Sequence, residues 1–115
     1  MLDENQFRRY ADTAVEALKQ SLIRAEGDAG FEVEENNGAL NILFEEPAAK
    51  FVVTPNTPVR QIWISALSTS FKLDWSEAAS AFILPKTGEH LLPLTGRLIN
   101  QHLGLLGTDE AVELA

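Results

Sequence analysis

The amino-acid sequence predicts an α+β fold: a two-layer sandwich in which two helices pack on one face of an antiparallel sheet of five to six strands. Three observations predict it. Apolar residues recur at helical spacing at both ends of the chain, they alternate at period two in between, and short turn-forming segments separate the alternating runs.

Residues 2 to 26 predict the first helix, with Phe7, Tyr10, Ala11, Ala14, Leu18, Leu22 and Ala25 returning every three or four positions. Asp3 is the expected N-cap, Gln6 completes a capping box, Leu2 staples against Phe7, and Gly27 is the expected stop. In FEVEENNGALNILFEE, Phe31 and Val33 alternate with Glu32 and Glu34, and then Leu40, Ile42 and Phe44 with Asn41, Leu43 and Glu45. Asn37 and Gly38 between them suit the positive backbone angles of a tight hairpin turn. Further strands are expected at KFVV from Lys50, RQIWIS from Arg60, SFKLDW from Ser70 and SAFIL from Ser80, in a meander. Within RQIWIS, Arg60 falls with Ile62 and Ile64, whereas Gln61, Trp63 and Ser65 share the other face. If the isoleucines face the helices, Trp63 faces away from them. The last helix is expected to start near Glu89 or His90, with Pro93 in its first turn and Gly104 as its cap. Leu91, Leu94, Leu98, Ile99 and His102 share one stripe of it. Residues 1–104 are read as one domain and 105–115 as a tail, whose leucines suit a groove between helices and whose acids suit solvent.

Seventeen acidic against nine basic residues leave a formal charge of -8, which repels phosphate backbones and anionic lipid. Nucleic acid and membrane are therefore not expected partners. The start LDENQF carries acids where a secretory leader carries bases, so a cytoplasmic location is expected. With no cysteine there is no disulfide, thiol nucleophile or thiolate metal site, and two histidines are too few for a three-histidine centre.

Any metal chemistry must rest on carboxylates. From Glu26 to Glu46 there are seven of them and no lysine or arginine, a set of hard oxygen ligands suited to hard cations. The same run also reads as a solvated acidic surface, since no fixed ligand spacing marks it. Trp63 reads either as half-buried packing or as an exposed contact residue among Gln61 and Ser65. Asp74 suits a strand end or turn cap, and His90 and His102 suit caps or packing. No motif places a nucleophile beside a base, and neither a phosphate loop nor a dinucleotide fingerprint is present, so no catalytic residue is assigned.

The order of elements, with ENNGALNILF, TPVRQIWIS and FKLDW, resembles the frataxin family, bacterial members included, from about Phe7 to Leu103. Pro58, Gln61, Ile62 and Trp63 match the family's Pro-x-x-Gln-(Ile/Val)-Trp element. The resemblance implies the same sandwich and a non-enzymatic, monomeric regulator of iron-sulfur cluster assembly, which binds iron weakly and engages cysteine desulfurase and the scaffold protein. It implies a metal edge at Asp12, Glu16, Glu26, Asp28 and Glu32, and a partner-binding sheet surface at Asn56, Arg60, Gln61, Trp63 and Lys72. The chain departs from the family at Lys19, Gln20, Ile23 and Arg24, where frataxins crowd acids, and at Phe82, where tryptophan is common. Two other functions are alternatives for such a chain: a ferroxidase-like iron handler, and a polypeptide-binding chaperone of the secretion type, which would form dimers.

Overall fold

The computed structural model describes residues 2–114, apart from the side chains of residues 27–29. Helix α1 spans Glu4–Ala29. The expected capping box forms: the Asp3 carboxylate accepts from the Gln6 N–H at 2.8 Å, and the Gln6 oxygen accepts from the Asp3 N–H at 3.2 Å. The expected stop at Gly27 is not used. The helix continues to Ala29 and ends at Gly30, whose φ of 85° is a left-handed conformation that glycine adopts without a Cβ clash.

Six strands follow, β1 (Phe31–Asn36), β2 (Ala39–Glu45), β3 (Ala48–Asn56), β4 (Gln61–Ala66), β5 (Thr69–Ser76) and β6 (Ala81–Ile83). They form one antiparallel sheet in sequential order. Asn37 and Gly38 turn the first hairpin with φ of 53° and 83°. Leu67 and Ser68 turn the fourth with φ of 54° and 61°, although neither residue type announces such a turn. One edge of the sheet, β1, carries Glu32, Glu34 and Glu35, all exposed, and at the other β6 has only three residues, with Ile83 bridged to His90 beyond it.

Helix α2 spans Leu91–Leu103, with His90 at its N-cap and Gly104, φ 73°, at its C-cap, as expected. Both helices lie on one face of the sheet, and period two sends every second strand residue under them. Leu40, Ile42, Val53, Ile62, Ile64 and Leu73 are fully buried there against Phe7, Leu18 and Leu22 of α1 and Leu94 and Ile99 of α2. Each such side chain contributes about 1.5–3 kcal/mol by leaving water. Phe7 meets Phe82 edge-on at 5.8 Å, which joins α1 to the far side of the sheet. His102 is a packing residue: its ring lies 4.5 Å from that of Phe44, and its Nε2 donates to the Pro47 carbonyl at 2.8 Å.

The tail returns to α2. Asn100 donates to the Val112 carbonyl at 2.9 Å and accepts from the Val112 N–H at 2.7 Å, and Leu114 is buried in the core. Leu106 is 52% exposed, so the docking leucine is the one nearest the C-terminus. From within α2, Arg97 grips Glu89, just before the helix, with two hydrogen bonds, 2.6 Å from Nε and 2.9 Å from Nη2. That contact holds the Glu89 carboxyl below its ordinary range, and the carboxylate in turn raises Arg97.

Candidate functional site

The sheet face away from the helices carries the side chains that the core does not use. Two cross-strand rows matter on it: Thr54, Trp63 and Lys72 in one, and Asn56, Gln61 and Asp74 in the next. Ile62 and Ile64 are fully buried, so their strand neighbour Trp63 projects from the outer face and is half-buried there. Its indole Nε1 donates to Gln61 Oε1 at 2.8 Å, and Gln61 Nε2 donates to Asp74 Oδ1 at 2.9 Å. Lys72 Nζ sits 4.8 Å from the centre of the Trp63 ring, at cation–π distance.

The physical effect is preorganisation. The polar tip of the indole is already satisfied within the sheet, so its remaining surface is apolar and held in place. A rigid aromatic of this kind loses little side-chain entropy when a partner covers it. Asn56 is half-buried, and its side chain has no hydrogen-bond partner among the described residues, so its amide is available for a contact.

Arg60 does not share the strand. It follows a 3₁₀ turn, Thr57–Val59, with φ 57°, which takes it out of the face alternation expected for RQIWIS. Its Nη1 donates to the Thr57 carbonyl, and its Nε is buried without a hydrogen-bond partner among the described residues, as is Trp75 Nε1. Of the expected partner-binding residues, the structure therefore brings together Asn56, Gln61, Trp63 and Lys72 and turns Arg60 back onto its own loop. Sequence reasoning missed Asp74 as part of this surface. Only the register set by the Leu67–Ser68 turn places it opposite Gln61.

The expected metal residues are spread out. Asp12 and Glu16 are exposed on α1, where Gln20 donates to Glu16 at 2.7 Å. About 21 Å of helix axis separates Asp12 from Glu26 at about 1.5 Å per residue. Glu26 accepts the Val33 N–H at 3.0 Å. Glu32 is exposed on the outer face of β1, and the side chain of Asp28 lies outside the described residues. Lys19 forms an ion pair with Glu35 at 3.0 Å, which raises the lysine, chiefly through that hydrogen bond. Among the described residues no three histidine or carboxylate side chains meet around one point. No described helix is long and apolar enough to cross a membrane.

This architecture has counterparts. Residues 1–105 match the model of the frataxin-like domain. The iron-sulfur cluster assembly protein CyaY of Pseudomonas fluorescens is 27% identical over 103 residues, covering 90% of this chain and 91% of its own. That of Azotobacter vinelandii is 25% identical over the same shares. A solved frataxin from Psychromonas ingrahamii superposes with a TM-score of 0.79 over 99% of both chains at 17% identity, a likeness of fold. With the family model spanning both helices and every strand between them, the chain belongs to the frataxin-like family.

Proposed function

We propose that the protein is a non-catalytic, monomeric adaptor of iron-sulfur cluster assembly in the cytoplasm, which docks on cysteine desulfurase and the scaffold protein through the outer sheet face and modulates the desulfurase. The observation that carries this reading is the Trp63–Gln61–Asp74 hydrogen-bond chain, with Lys72 against the indole. It makes a rigid aromatic anchor on a face the core does not need, and anchors of this type dominate binding energy at protein contacts. The names of the Pseudomonas and Azotobacter relatives support the pathway.

Iron enters this reading as cargo. Asp12, Glu16, Glu26, Asp28 and Glu32 would attract it by summed charge rather than enclose it, because Glu26 is engaged by Val33 and the others are dispersed. Lys19 and Arg24 on the same helix reduce that attraction.

Titration of a purified cysteine desulfurase tests the docking. Trp63→Ala is expected to weaken binding at least about tenfold, roughly 1.4 kcal/mol, while the variant retains its fold by circular dichroism. Unchanged affinity would remove the docking role. Anaerobic ferrous titration tests the cargo separately: amide shifts confined to residues 12–34 support it, and their absence removes iron while leaving the docking face.

A further inference from the structure

On the helical side of the molecule, away from Trp63, a groove of about 840 Å³ runs between the N-terminal half of α1, the edge strand β6 and the start of α2. Its volume is that of a small-molecule site. Tyr10 stacks on Trp75 at 4.5 Å, Trp75 meets Phe82 edge-on at 5.2 Å, and Leu91 and Leu92 of α2 also line the groove. The charge of the lining is opposite to that of the protein. In a chain of net charge -8, no carboxylate lines this groove among the described residues, whereas Arg9 and His90 both do. The Arg9 guanidinium lies over the Tyr10 ring at 5.7 Å and has no carboxylate partner among the described residues. The exposed imidazole of His90 adds a ring N–H. His90 is also the N-cap of α2, where its side chain makes no capping hydrogen bond.

We propose that this groove binds a small organic carboxylate with an aromatic or branched apolar body. The body lies against Trp75, Phe82 and Leu92, and the carboxylate meets Arg9 and His90. The aromatic wall supplies affinity, and the guanidinium selects the acid over its neutral analogues. This proposal is independent of the docking face.

The test uses 3-phenylpropionate and its neutral amide, 3-phenylpropanamide, added to the full chain while the indole signals of both tryptophans and the alanine methyl signals are followed. Saturable shifts at Trp75, Ala14 and Ala17, with Trp63 unmoved, are expected for the acid. The amide is expected to bind at least tenfold more weakly. Arg9→Ala should lower the acid's affinity to that of the amide, and Ala17→Trp, at an exposed lining position, should block binding with the fold retained. No saturable shift at millimolar acid, or equal binding of acid and amide, would overturn the proposal. So would the same shifts on concentrating the protein without probe, with a dimer in sedimentation, since a second copy would then cover the groove.

Discussion

Gln61 does two things that no hydrocarbon side chain of its size can do, since its oxygen fixes the indole of Trp63 and its nitrogen engages Asp74. Gln61→Leu would keep the volume and strand both partners. The expected cost is about 1–2 kcal/mol, read as a lower urea midpoint at unchanged slope, together with weaker desulfurase binding as the ring loses its fixed pose. Glu89 offers a second test at this scale. Arg97 holds its folded pKa below the ordinary value of 4.5, so the pair's contribution is complete above that value and is lost as pH falls through the folded one. Both side chains are partly exposed, 39% for Arg97 and 23% for Glu89, so Glu89→Gln should cost about 0.5–1 kcal/mol at neutral pH. The difference from the parent chain should vanish in acid unfolding curves. A stability gap that persists at low pH would show that the glutamate acts by packing instead.

At the scale of elements, Asn100 links α2 to the tail through a reciprocal pair of hydrogen bonds with Val112, and Leu114 follows into the core. Asn100→Ala would release the tail and expose that leucine's site, with an expected loss of about 2–3 kcal/mol and faster amide exchange at Val112. Unchanged exchange there would mean that Leu114 alone anchors the segment. The elements themselves were largely readable from the sequence, because helical and period-two patterns survive wherever one face must be buried. The Asp3 box, the Asn37–Gly38 turn and the Gly104 cap announce themselves by residue type. What the sequence hides is set by backbone geometry that its residue types do not signal. Gly27 and Gly30 are equally eligible by residue type to end α1, and the helix ends at Gly30. Arg60 leaves the strand because a 3₁₀ turn precedes it, and Asp74 joins the surface through a turn made of leucine and serine. The outer-face residues Gln61 and Trp63, bonded to each other within one strand, were legible by alternation, whereas the bond from Gln61 to Asp74 depends on a register that residue types did not give.

For the whole molecule, net charge of -8 makes encounter with a basic partner surface a long-range event. Raising salt from low concentration to about 0.5 M shortens the Debye length several-fold, so the association rate with the desulfurase should fall while dissociation changes little. Rates indifferent to salt would assign recognition to the Trp63 face without steering.

The two rims of the sheet govern how copies of the chain treat one another. An open strand is a template on which foreign backbone can grow. Here one rim repels any copy of itself through Glu32 and Glu34, Glu35 being held by Lys19, and the other is short and bridged from Ile83 to His90. Concentrated solutions should therefore resist fibril seeding, and a replacement of Glu32 and Glu34 by threonine is where that resistance would first fail.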